Sequence, residues 1–318
     1  MATTTSAAAE AAGIGNLFDV KGRVALVTGG SSGIGLMIAK GLVRNGAIVY
    51  ITALESDPIT AAVTELNSLG KASGSEGRAS GFPSDLTTKS GIAALAAHVQ
   101  TLTPNLDILI SNAGIRRDAP EPCNPVTADL STLQSSLWSH SHGDWTDTFA
   151  VNTTAHFFLV VALVHLLAAA AEKEVEGGED GVGEGGAKRR GRDVGRGVVV
   201  VTSSCASMHN CTNVDLTSYA ASKAATDHLV RLLASKFARW YVRVVGVNPG
   251  FVPSAMNPIG AEGNMFAGLF DKVPARRAGR LGDIAGTVLY LCSEAGAYVD
   301  GTSLCVDGGR VLVANGQE

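Results

Sequence analysis

Short, nearly continuous apolar runs alternate along this chain with longer segments whose apolar positions recur at helical spacing. Arg23-Val-Ala-Leu-Val-Thr28 is the first run, the pattern of a strand covered on both faces. It breaks into Gly29-Gly-Ser-Ser-Gly33-Ile-Gly35 before Leu36 to Asn45 resumes helical spacing. Ala47 to Thr52 predicts the next strand and Pro58 to Leu69 the next helix, which completes a right-handed βαβ unit. A third short strand leads into Gly81-Phe-Pro-Ser-Asp85-Leu86, and Leu106-Asp-Ile-Leu-Ile-Ser111 predicts a fourth, running into Asn112-Ala-Gly114. Asp144 then reads as the N-cap of a helix from Trp145 that carries Asn152 and the apolar run Phe157 to Ala171. Val198 to Val201 predicts a fifth strand, the segment through Tyr219 and Lys223 a helix, and Val242 to Val247 a sixth strand. Asp283 to Leu291 reads as a helix, and Ser303 to Val306 as a last strand closing with Asp307-Gly-Gly309. Such alternation argues for a parallel sheet with helices on both faces, whose ligand crevice lies beyond the strands' C-terminal ends.

Composition narrows the class. The 318 residues, 46% hydrophobic, supply a buried core for a single domain over residues 17–318. A net charge of −4 with scattered basic residues offers no phosphate-tracking surface apart from Lys188, Arg189, Arg190 and Arg192, so no nucleic-acid partner is expected. The five cysteines (Cys123, Cys205, Cys211, Cys292, Cys305) form no CxxC or Cys/His cluster, which fits reduced thiols in a cytoplasmic setting and no metal. Residues 1–16 hold no Lys or Arg and lack the n- and h-regions of a secretory signal; they read as a disordered lead. The run Phe157 to Ala171 is interrupted by His165 and is shorter than the ~20 residues that span a bilayer, so it reads as a buried helix, with no membrane partner expected. Residues 172–197, acidic, then glycine-rich, then basic, read as a disordered insertion. Residues 116–143 are too polar and too broken for core; they belong near the cleft mouth, and His140 and His142 read as a solvated pair.

Several stretches carry candidate chemistry. The glycine turn lets a pyrophosphate approach the main chain, and the helix behind it presents unpaired N–H groups. At the second strand's tip, Thr52, Ala53, Leu54 and Glu55 include neither the arginine nor the well-placed carboxylate that reads a ribose 2′ substituent. Thr52 and the turn serines favour NADP(H), Glu55 argues mildly against it, and NAD(H) stays open. Asp85 either accepts from an adenine amino group or caps the following helix. Tyr219 and Lys223, four apart on a helix, stack on one face, where an ammonium lowers a phenol's pKa. Ser203 and Ser204 stand at a strand exit, from which one of them can hydrogen-bond the substrate oxygen that Tyr219 protonates. Asn152, in an otherwise apolar helix, needs partners for its amide. Asn248-Pro-Gly-Phe-Val-Pro-Ser254 offers backbone groups and a hydroxyl to a planar carboxamide. Met256 to Lys272, with Met265, Phe266, Leu269 and Phe270 at helical spacing between glycines, reads either as a lid over an apolar substrate or as a helix packed on the core or on another subunit.

In their order and near spacing, Thr28-Gly-Gly-Ser-Ser-Gly-Ile-Gly35, Asp85-Leu86, Asn112-Ala-Gly114, Asn152, the serine segment, Tyr219-x-x-x-Lys223 and Pro249-Gly250 resemble the short-chain dehydrogenase/reductase family. The resemblance runs from Leu17 to Gly309 and is strongest to 3-oxoacyl reductase-like members. It implies a Rossmann-like doubly wound α/β fold with about seven parallel strands, hydride transfer between NAD(P)(H) and a carbonyl or secondary alcohol, and a homodimer or homotetramer. It implies Tyr219 as proton donor or acceptor, Lys223 as the group that lowers its pKa and binds the nicotinamide ribose, and Asn152 as support for a water relay to Lys223. Ser204 is the implied serine, although the family's usual separation lands on Ala206, and Ser207 is the fallback. The dinucleotide is expected against Gly29, Ser31, Ser32, Gly33, Ile34, Gly35, Thr52, Asp85, Leu86, Asn112, Ala113, Gly114, Tyr219, Lys223, Pro249, Gly250, Val252 and Ser254. The expected substrate is a small to medium apolar ketone or alcohol, such as a 3-oxoacyl or secondary-metabolite intermediate. The alternatives are a non-catalytic nucleotide-binding scaffold or redox sensor, and a dehydratase or epimerase on the same fold.

Overall fold

A computed structural model describes residues 17–175, 189–210, 215–258 and 273–314. The apolar runs form β1 (Val24–Thr28), β2 (Ile48–Ala53), β3 (Arg78–Pro83) and β4 (Ile108–Ser111). A small antiparallel ladder of β5 (Glu174–Val175) and β6 (Arg189–Arg190) follows, then β7 (Val198–Thr202), β8 (Arg243–Pro249) and β9 (Ser303–Val306). The main sheet has seven strands in the order β3-β2-β1-β4-β7-β8-β9, and every pairing is parallel. The helices are α1 (Gly33–Arg44), α2 (Ile59–Ala72), α3 (Lys89–Leu102), α4 (Leu130–Trp138), α5 (His142–Phe149), α6 (Ala155–Glu172), α7 (Thr217–Phe237), α8 (Leu281–Cys292) and α9 (Arg310–Ala314). This is the doubly wound fold that the alternation predicts.

Successive strand residues point to opposite faces, so the sheet serves two cores. Val27, Ile51, Ile110 and Val200 meet α1, α2 and α8 on one side. Leu26, Leu109, Val199 and Val244 meet α3, α6 and α7 on the other.

The sheet's N-terminal edge, opposite the ligand edge, is stitched by buried charge. Asp107, fully buried, accepts from Val24 N at 2.8 Å and from the Arg196 guanidinium at 2.8 Å, and its carbonyl accepts from Gly197 N and Val198 N. One residue thereby ties the bases of β1, β4 and β7. Arg243 donates to the carbonyls of Gly195, Leu291, Gly296 and Val299, and Arg23 to those of Val194 and Cys292. Burial pulls the Arg23 guanidinium down to about 10, Arg196 adding to the effect.

Four expectations need correction. The helix expected from Asp144 begins earlier: Ser141 is the N-cap, accepting from Asp144 N, and the Asp144 carboxylate closes a capping box by accepting from Ser141 N. Residues 116–143 are not wholly irregular, because Asp129 caps α4 by accepting from Thr132 N. The insertion 172–197 is ordered at both ends, since its charges find partners. Arg189 pairs with Glu294 and Arg192 with Glu172, each at 2.5 Å, and Arg192 also covers the Tyr241 ring at 3.9 Å. Only residues 176–188 of that insertion, and the expected lead 1–16, lie outside the described residues. The apolar run, finally, belongs to a helix running without a break from His142 to Glu172, long and apolar enough by composition to cross a membrane. In this fold it is a core helix: Leu159, Val160, Leu163 and Leu167 are at most 1% exposed.

Asp107→Ala leaves Arg196 buried near Arg23 with no carboxylate between them. The expected cost is about 3–5 kcal/mol of folding stability, read from urea unfolding.

Candidate active site

The C-terminal edge of the sheet opens into a crevice of about 430 Å³ lined by the glycine turn, the ends of β2, β4 and β7, the start of α7 and residues 249–257. Gly29 (φ +63°) and Gly33 (φ +51°) occupy backbone conformations that L side chains rarely adopt. Gly35 does not line the crevice; a Cβ there would lie 2.1 Å from Gly29 O, so its absence lets the turn close on α1. Thr28, which the sequence reading passed over, clamps β1 to β4. Its hydroxyl accepts from Asn112 N at 2.9 Å and Ala113 N at 3.1 Å, while Asn112 Nδ2 donates to Thr28 O at 3.0 Å.

The expected dinucleotide residues converge here. Ser31, Ser32, Ile34, Thr52, Asp85, Leu86, Asn112, Ala113, Gly114, Pro249, Gly250, Val252 and Ser254 all line the crevice together with Gly29 and Gly33. Ser31 Oγ, Thr52 Oγ1, Ser84 Oγ and Thr202 Oγ1 are buried without a hydrogen-bond partner among the described residues. Ser31 stands in the glycine turn and Thr52, Ser84 and Thr202 at the ends of strands, a set that fits a phosphate- and ribose-bearing ligand. Asp85 is not the helix cap; it accepts from Thr87 N, while Thr88 caps α3 by accepting from Gly91 N. At the β2 tip, Asp57 rather than Glu55 lines the crevice, and it accepts from Leu54 N at 3.0 Å. A Cβ on Gly33 would lie 3.3 Å from Ser254 Cβ, so residues 252–256 close over the turn. Residues 259–272, most of the expected lid, lie outside the described residues.

Three serines compete at the exit of β7, and their partners separate them. Ser203 Oγ donates to Lys223 O at 3.0 Å. Ser207 Oγ lies against the Asp227 carboxylate and 2.7 Å from Ser204 O, and accepts from Asn248 Nδ2 at 3.0 Å. Ser204 Oγ accepts from Ala206 N at 3.1 Å and lines the crevice with Tyr219, whose pKa it pulls down. The fallback Ser207 is thus turned away from the crevice, held in a polar cluster behind it.

Tyr219 is only partly covered as a residue, yet its phenol oxygen is surrounded by protein. Burial therefore pushes its pKa up, against the opposing effects of the Ser204 hydrogen bond and the Arg116 charge. This corrects the expectation that Lys223 depresses it: Lys223 Nζ sits 5.8 Å from the ring centroid and donates to Thr202 O at 2.8 Å. Burial lowers the Lys223 ammonium itself to about 8, and Asp227 partly restores it. Behind it, His156 shares a 2.6 Å hydrogen bond with Ser111 and is held neutral by burial, its pKa lowered to about 3.

Asn152 lies in a π-helical turn (Ala150–Thr154) that links α5 to α6. Its Oδ1 accepts from Ile115 N at 2.8 Å, and its Nδ2 donates to Ile115 O at 2.9 Å and Ser222 Oγ at 3.0 Å. The side chain is committed to holding the β4 loop against α7. Its own carbonyl accepts from Thr226 at 2.6 Å. His140, expected to be solvated, instead pairs with Asp215 at 2.7 Å with both side chains buried, and so joins residues 116–143 to the entry of α7. Among the described residues no cluster of three metal-ligating side chains occurs.

Comparison with known proteins follows the same lines. The short chain dehydrogenase family model matches residues 23–177, and the enoyl-(acyl carrier protein) reductase model matches residues 187–310. A short-chain dehydrogenase/reductase from Byssochlamys spectabilis is 31% identical over 93% of this chain and 95% of its own. A rhamnolipids biosynthesis 3-oxoacyl-[acyl-carrier-protein] reductase from Pseudomonas aeruginosa is 29% identical over 92% and 97%. The solved Pseudomonas aeruginosa RhlG/NADP active-site complex is 28% identical, covers 93% of this chain and 99% of its own, and has a TM-score of 0.72.

Asn152→Ala removes three hydrogen bonds from a buried site. A loss of about 1–3 kcal/mol in thermal or urea stability is expected, with weaker dinucleotide binding by fluorescence titration as the 112–115 loop loosens.

Proposed function

The chain belongs to the short-chain dehydrogenase/reductase family, and from that premise we propose that it is an NADP(H)-dependent ketone reductase whose proton donor is Tyr219. It is an NAD(P)(H)-dependent oxidoreductase acting on carbonyl or alcohol groups of small apolar substrates. When bound, the reduced nicotinamide supplies the hydride. The observation that carries the finer reading is that Ser204, Tyr219 and Lys223 line one crevice together with the glycine turn.

Burial keeps the phenol protonated at neutral pH, ready to give its proton to a carbonyl oxygen. Ser204 already accepts from Ala206 N, so its own O–H is free to turn to that oxygen and hold it. Lys223, fixed to Thr202 O beside Gly114, presents its remaining N–H donors to the crevice, where a ribose hydroxyl would meet them. Asn152 keeps the β4 loop at the distance this needs. The glycine turn and the Ser31 and Thr52 hydroxyls would hold the phosphates and the adenosine ribose.

NADP(H) is favoured by the complex of the RhlG structure with NADP and by these partner-seeking hydroxyls. The largely apolar crevice fits a ketone of modest size, such as a 3-oxoacyl or secondary-metabolite intermediate. A second copy of this chain is the expected partner. Helix α6 is apolar all round, and its outward side carries Val161, 42% exposed, beside the half-buried Phe157 and Phe158.

Ketone-dependent oxidation of NADPH, followed by the loss of its absorbance, tests the assignment. Tyr219→Phe is expected to lower kcat by roughly 10²–10⁴-fold while NADPH still binds; near-normal turnover would sink the role given to Tyr219. Cofactor binding without turnover on any ketone would favour the scaffold reading. The Lys223 ammonium, depressed to about 8, is lost as pH rises through that value. The ratio kcat/KM for NADPH, which reports the free enzyme, should therefore hold below about pH 8 and fall above it.

A further inference from the structure

Tyr219, Lys223 and Asp227 recur every four residues on α7, so they form one stripe. Asp227 is 5% exposed. Its Oδ2 accepts from Ser207 Oγ and, at 2.8 Å, from Asn248 Nδ2; its Oδ1 accepts from Ser303 Oγ at 3.0 Å. These donors come from the turn after β7, from β8 and from β9, and all are neutral.

Two features make this more than a satisfied core carboxylate. Ser207 Oγ and Asn248 Nδ2 also lie 2.7 and 3.2 Å from the Ser204 carbonyl; the one Ser207 proton goes to the carboxylate, and an Asn248 N–H reaches the carbonyl. The carboxylate that grips both therefore fixes the turn carrying the Ser204 hydroxyl to the helix carrying the phenol. Moreover, neutral donors leave its charge unneutralised in a low-dielectric setting, one helical turn from a buried ammonium. Other titratable groups facing the pair are His156 on α6, neutral and facing Lys223, and Cys305 on β9, facing Asp227.

We propose that Asp227 is a positioning residue that locks the Ser204 turn to the Tyr219–Lys223 helix and sets a negative charge one helical turn from the Lys223 ammonium. The proposal rests on the roles assigned above to Ser204 and Lys223. It has its own signature, because it predicts a displaced pH profile in an enzyme that still turns over.

The test compares Asp227→Asn with Ser207→Ala in the full chain, using kcat, KM and the pH profile of kcat/KM for NADPH. Asp227→Asn keeps a side chain of the same shape but removes the charge. Its alkaline limb should move to lower pH by about half to one unit, since an ammonium without its carboxylate deprotonates sooner, and kcat should fall roughly 10- to 100-fold. Ser207→Ala loosens the turn but leaves the charge, so kcat should fall with the limb unmoved. An alkaline limb for folded Asp227→Asn that superimposes on the unaltered enzyme overturns the proposal. So does a limb in Ser207→Ala displaced as far as in Asp227→Asn, which would make the effect purely structural. Should Asp227→Asn not fold, Asp227→Ser is read in the same way. Loss of turnover in Tyr219→Phe with this signature absent would leave the reductase reading standing and remove only Asp227.

Discussion

A cation buried at the floor of the crevice is the constraint around which this molecule is arranged. Lys223 is 3% exposed, and among the described residues no carboxylate touches it. Desolvation of such a group costs several kcal/mol unless its donors are met. Thr202 O meets one of them, from the strand end on which Ser203 and Ser204 follow, so the charge fixes α7 against β7 at the point where serine and tyrosine must face each other. Ser203 reinforces that docking by donating to the carbonyl of the same lysine. The catalytic geometry and the accommodation of the charge are thus one problem with one solution.

The sheet distributes its polar groups to match. At its N-terminal edge, Asp107, Arg23 and Arg243 are held by main-chain groups and by Arg196, and the strands there cannot part without stranding charge. At its C-terminal edge the opposite holds: buried hydroxyls of Ser31, Thr52 and Thr202 lack partners among the described residues, and glycines replace side chains. An edge that is tight below and under-satisfied above gives binding energy to a ligand without asking the scaffold to rearrange. The Thr28–Asn112 clamp and the Asn152–Ile115 pair extend the rigid base up to the crevice rim.

What could be read from the sequence was what local rules encode. Buried parallel strands announce themselves as apolar runs, and the turn at Gly29 to Gly35 announces itself because only glycine tolerates its backbone. Asp144 was misplaced because both ends of a capping box are good cap residues, and only the fold shows that Ser141 comes first. The His140–Asp215 pair and the Asp227 cluster join residues far apart in sequence, and no spacing rule reaches across such a gap. The choice between Ser204 and Ser207 was equally beyond counting. Residue separation cannot say which hydroxyl a carboxylate on α7 will capture; in the fold Ser207 lies against Asp227, whereas Ser204 lines the crevice.

The protonation states set by burial also bear on which half-reaction the resting site is prepared for. Desolvation moves a phenol and an ammonium in opposite directions, and both moves favour the neutral form. For Tyr219 the neutral form is the one that carries the transferable proton, so burial readies it to donate. For Lys223 the neutral form is the one that has lost its charge, so burial works against its role and needs a counterweight, which Asp227 provides. Alcohol oxidation would require the phenolate, a second charge beside a site already costly to charge, and Arg116 and the Ser204 hydrogen bond only partly offset that. At neutral pH these shifts therefore favour phenol and ammonium, the combination that the proposed proton delivery to a ketone would use.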